Sequence, residues 1–142
     1  MQAHNNSQAA RSRRLSIFIF DDDGDTVSTL AAILRDEGHV VVTAENATTA
    51  LEQIRHYKPD VCILDIVMPG KSGFDIAREL KAMNLPHPPV VIFISGVYTK
   101  PSDSLMAKSS MGFAHFIQKP ADPVELVALL DRIASDAPST AA

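Results

Sequence analysis

Five short apolar runs punctuate the chain: LSIFIF (15–20), HVVVTA (39–44), VCIL (61–64), VVIFI (90–94) and FAHFI (113–117). Each is too short for a helix and rich in β-branched or aromatic residues, which predicts strands. The segments between them carry helix start and stop signals. Asp25 leads into TVSTLAAILRDE before Gly38, and Asn46 leads into ATTALEQIRHY before Pro59. Ser72-Gly-Phe-Asp75 and Asp122-Pro-Val-Glu125 have the form of capping boxes, the second with proline at the first helical position. A fourth helix is expected to open at Ser102 or Asp103 after Pro101 and to close at Gly112. Such alternation predicts an α/β fold in which parallel strands are joined by right-handed crossovers. VCIL and VVIFI hold no charged or strongly polar residue, as suits the middle of a sheet; HVVVTA and FAHFIQ contain His39, Thr43, His115 and Gln118, as suits its edges. This pattern is consistent with a doubly wound five-stranded parallel sheet of order 2-1-3-4-5, with helices on both faces.

At 142 residues with 46% hydrophobic content, the chain suits one domain with an ordinary core. Residues 1–14 and 135–142 lack apolar periodicity and read as disordered tails around a domain at 15–134. The formal charge is −4, but the first fourteen residues hold three arginines and no acid, which leaves the body at −7. An acidic body argues against a nucleic-acid surface. The RSRR cluster at 11–14 reads as a solvated basic tail. The longest apolar opening run is too short for a signal-peptide core or a membrane span. Cys62 is the only cysteine, so the chain forms no internal disulfide, and a soluble cytoplasmic protein is expected.

The chemistry gathers where the strands end. In a sheet of this kind ligands bind in the crevice beyond the carboxyl ends of the strands. The first strand ends in Asp21-Asp22-Asp23, the third in Asp65, the fourth in Ser95 and the fifth in Lys119. Strands lie about 4.8 Å apart, so carboxylates at neighbouring ends repel unless a cation lies between them. An oxygen-only donor set that keeps water suits Mg2+. The five histidines show no metal-ligand spacing.

Asp21-Asp22, then Asp65-Ile-Val-Met-Pro-Gly-Lys-Ser-Gly73, then Ser95, then Lys119-Pro120 together resemble the receiver domain of two-component response regulators over residues 15–134. The resemblance implies a flavodoxin-like fold. It also implies that a histidine kinase or histidine phosphotransfer protein phosphorylates Asp65 in a Mg2+-dependent reaction. Asp21, Asp22, Asp65 and the backbone carbonyl of Val67 would hold the metal, while Ser95 and Lys119 would contact the phosphoryl oxygens. Phe116 would be the switch aromatic, the Lys119–Pro120 bond would be cis, and Gly96 stands where alanine is usual in the family. Phosphorylation would rearrange the fourth helix, fifth strand and fifth helix, the surface that meets a downstream protein. On this reading the chain is a phosphoacceptor that assists its own phosphotransfer and dephosphorylation, not an enzyme, and a monomer or weak dimer.

A rival reading starts from Asp21-Asp22-Asp23-Gly24, which is similar to the DxDG motif of haloacid dehalogenase phosphatases. Asp21 would then be the nucleophile and Asp23 the acid-base residue. No strand followed by an acidic pair appears after Lys119, however, and DIVMPGKSG would be left without a purpose. A pseudo-receiver that binds partners without phosphorylation is a further alternative, disfavoured because every required side chain is present.

Overall fold

A computed structural model describes residues 14–44, 46–67, 70–96 and 114–136. The elements are β1 (Ser16–Phe20), α1 (Gly24–Asp36), β2 (Val40–Ala44), α2 (Ala47–Tyr57), β3 (Val61–Asp65), α3 (Gly73–Ala82), β4 (Val90–Ser95), β5 (Ala114–Gln118) and α4 (Pro123–Asp136). All strand pairs are parallel, in the order β2-β1-β3-β4-β5, as expected. The helix expected between residues 102 and 112, Met68, Pro69 and the outer tail residues lie outside the described residues. α4 runs through Ser135 to Asp136, two residues into the segment expected as a tail.

Side-chain alternation divides the core into two layers. Leu15, Ile17 and Ile19 point to one face of the sheet, where Leu30 and Leu34 of α1 and Leu126, Leu130 and Ile133 of α4 cover them. Phe18 and Phe20 point to the other, under Ala50 and Ile54 of α2 and Ile76, Ala77 and Leu80 of α3. β3 is buried at every position, which is why VCIL has no polar alternation.

The helix starts follow local chemistry. The Asn46 side chain accepts the Thr49 amide, and Ser72 and Asp75 form a reciprocal capping box. The Asp122 carboxylate accepts the Val124 amide at 3.0 Å, behind Pro123. At α1 the cap is Asp23, two residues earlier than a start at Asp25. The cause is an Asx turn: Asp21 Oδ1 accepts the Asp23 amide at 2.9 Å, which turns the chain early enough for Gly24 to be helical. Asp25 falls in the first turn, where its charge complements the helix dipole. His39 also departs from expectation. It is not a strand residue but a buried junction, whose Nδ1 accepts the Leu15 amide at 3.0 Å.

Candidate functional site

Every strand that contributes to the site ends within one crevice. Asp21 follows β1 and is fully buried, Asp65 closes β3 at 3% exposure, and Ser95 closes β4, fully buried. Lys119 follows β5, its amide donating to the Ser95 carbonyl at 2.8 Å. The parallel register delivers these residues together because β1, β3, β4 and β5 are consecutive neighbours.

Asp21, Asp22 and Asp65 present carboxylate oxygens that all lie within 4.8 Å of one another. Asp22 is exposed and the other two are buried. The oxygens of Asp21 are divided in their work. Oδ1 holds the Asx turn, while Oδ2 is buried and forms an ion pair with Lys119 Nζ at 2.8 Å. Asp65 is similarly divided, with Oδ1 accepting the Val67 amide at 3.3 Å and Oδ2 lying 3.3 Å from Lys119 Nζ. One lysine therefore bridges two buried carboxylates.

That arrangement is under-compensated. Burial, reinforced by the charge of Asp21, pushes the Asp65 carboxyl up to about 6, against the opposing pull of Lys119. Burial works to lower the pKa of Lys119, but its contacts with Asp21 and then Asp65 outweigh this and leave it raised, so it stays an ammonium. The Asp21 and Asp65 carboxyls, which share a single cation, and the exposed Asp22 form an all-oxygen donor set with surplus negative charge, which fits a hard divalent cation. Asp23 does not join them. Its carboxylate caps α1 and accepts the Thr26 hydroxyl at 2.9 Å, and those bonds lower its pKa.

The remaining expected residues fall around this centre. Phe116 is half-buried on β5 and packs against the layer that holds Phe93, and Gly96 is exposed directly after Ser95. The Lys119–Pro120 peptide bond is cis. Val67 is exposed at the rim. Sequence reasoning missed the pairing of Lys119 with Asp21, which depends on side-chain reach across the crevice and leaves no mark in the spacing.

The sequence profile of the response regulator receiver domain matches residues 17–131. The chain is 35% identical over 120 residues to Protein PilH of Pseudomonas aeruginosa, covering 82% of this chain and 95% of that protein. It is 34% identical over 115 residues to the DNA-binding response regulator MtrA of Mycobacterium tuberculosis, covering 81% of this chain and 48% of that one, so it spans about half of MtrA. The chemotaxis protein CheY4 of Vibrio cholerae shares the fold, with a TM-score of 0.77 at 22% identity over 85% of this chain and 99% of that one. A phosphatase reading is not favoured by these matches, nor by an Asp21 that is buried and committed to a turn and an ion pair. The chain belongs to the response regulator receiver family.

Proposed function

We propose that this receiver is a phosphorylation-operated switch whose phosphoacceptor is Asp65. The observation that carries the reading is the buried Asp65 carboxylate between Asp21, Asp22 and Lys119. Asp21, Asp22, Asp65 and the Val67 backbone carbonyl would hold Mg2+, which when bound neutralises charge on the carboxylates and on phosphoryl oxygens. The donor is the phosphohistidine of a histidine kinase or phosphotransfer protein. An Asp65 oxygen forms a bond to phosphorus as the phosphorus–nitrogen bond breaks, and the leaving imidazole nitrogen keeps that electron pair. Lys119 supplies a fixed cation for the transferred group, and Ser95 supplies a hydroxyl at the adjacent strand end. The protein is then a phosphoacceptor rather than a turnover enzyme.

The new group adds roughly −1.5 to −2 charge. Lys119 and Ser95 are drawn toward it, and Phe116 follows on β5. The partner surface comprises β5 and the following helix α4. Val124, 77% exposed at the start of α4, is an apolar contact on that surface. We place the protein in the cytoplasm; no helix among the described residues is long and apolar enough to cross a membrane.

Incubation with Mg2+ and acetyl phosphate, borohydride trapping and peptide mass spectrometry test the assignment. Modification at Asp65, lost in Asp65→Asn, is the expected result. Modification at Asp21 would replace the reading with a phosphatase, and partner binding that ignores Asp65→Asn would replace it with a pseudo-receiver.

A further inference from the structure

The first residue of α3 lies directly against the backbone of Asp65. A Cβ placed on Gly73 would stand 2.5 Å from the Asp65 carbonyl oxygen, 3.0 Å from its carbonyl carbon and 3.1 Å from Leu64 Cβ. Real Cβ atoms essentially never come closer than 3.0 Å to such neighbours. Backbone conformation does not explain this glycine. Gly38 and Gly70 have positive φ values of 97° and 79°, and a Cβ there would meet nothing within 4 Å among the described residues, whereas Gly73 lacks a positive φ and is confined by contact alone.

The helix side of that contact is held. The Ser72–Asp75 capping box fixes the first turn of α3, buried Ile76, Ala77 and Leu80 anchor the helix, and Phe74 packs edge-on against Phe93 of β4 at 4.7 Å. Asp65 is held less firmly than the rest of its strand. Pairing of β1 with β3 ends at Phe20 and Leu64, so Asp65 is paired on one side only, with Ile94 of β4. Under pressure from α3 the residue expected to yield is Asp65.

We infer that Gly73 is a positioning residue for Asp65: by presenting no side chain, it lets α3 seat against the Asp65 carbonyl and sets the carboxylate's distance from Asp21 and Lys119. This rests on the phosphoacceptor reading of Asp65. A methyl at position 73 displaces one partner by about half an ångström or more, and misplacement on the order of 1 Å costs reactions up to about a hundredfold.

The test compares wild type, Gly73→Ala and Ala77→Gly for the rate of Asp65 acyl phosphate formation with Mg2+ and acetyl phosphate, well below each unfolding midpoint. Gly73→Ala is expected to react roughly ten- to a hundredfold more slowly. Ala77→Gly weakens the same helix one turn beyond Gly73 and is expected to lower the midpoint while keeping the rate within about twofold. Equal rates for Gly73→Ala and wild type overturn the inference, as does an equal loss in Ala77→Gly. Should Gly73→Ala not fold, Ser72→Ala/Asp75→Ala releases the first turn of α3; a slower rate supports the inference and an unchanged rate overturns it. Wild type that is never labelled at Asp65 is a separate result, and it removes the phosphoacceptor reading itself.

Discussion

Gly96 stands beside Ser95 at the mouth of the crevice, where among the described residues a Cβ would meet only Lys119 Cβ at 3.6 Å, an ordinary contact. Alanine therefore fits without strain, and its methyl would cover one approach of water to a phosphoryl group on Asp65. Gly96→Ala is expected to slow loss of the Asp65 acyl phosphate by roughly three- to tenfold, at most about 1.4 kcal/mol in the barrier. Decay after donor removal measures it, and decay as fast as wild type would discard the shielding argument. At this scale the candidate site was largely legible: Asp21, Asp22, Asp65, Ser95 and Lys119 each follow or close an apolar run, and burial of a run predicts that its polar terminus faces the crevice. Gly73 was only partly legible. Its place at a helix start suggested close backbone approach, but the atom it approaches belongs to the strand end eight residues earlier in the chain.

At the scale of elements, capping chemistry is local, and Asn46 and the Ser72–Asp75 pair could be read directly. The start of α1 could not, because three consecutive aspartates and a fourth beyond Gly24 offer competing caps, and the turn held by Asp21 Oδ1 chooses Asp23. The junction of α1 with β2 shows the same limit. His39 lies in an apolar run that predicts a strand, yet the His39 amide donates to Leu34 O at 3.1 Å and Nδ1 accepts from Leu15, tying the helix end to the start of β1. His39→Ala leaves the buried Leu15 amide without that acceptor and is expected to cost about 1–3 kcal/mol. Thermal unfolding reads this as a drop of several degrees in Tm; a change within about 0.5 kcal/mol would show that the imidazole contributes nothing there.

For the molecule as a whole, the crevice sets how stability answers to pH and metal. With chelator present, Asp65 titrates near 6 in the folded protein and near its ordinary value of about 3.9 when unfolded. The folded state binds the proton more tightly, so this contribution is fully present below about pH 4 and is lost as pH rises through about 6. Asp65→Asn is expected to remove that loss, making the metal-free variant more stable than wild type at pH 7.5 but not at pH 4. Mg2+ should counter the loss in wild type, by about 2.7 kcal/mol at a hundred times its Kd, and less as pH falls through 6 and protons compete for Asp65. Unfolding midpoints across pH, with Mg2+ and with chelator, check both; a midpoint indifferent to Mg2+ at pH 7.5 would argue against a metal site. The sequence by itself determined the five strands, the layered fold and the residues at the strand ends, because hydrophobic periodicity and capping act over a few neighbouring residues. Only the tertiary structure decided that Lys119 bridges Asp21 and Asp65, that Asp21 Oδ1 is spent on the turn into α1 and that Gly73 abuts Asp65. Those facts depend on side-chain reach and contact between segments distant in the chain, and packing, not local pattern, sets such distances.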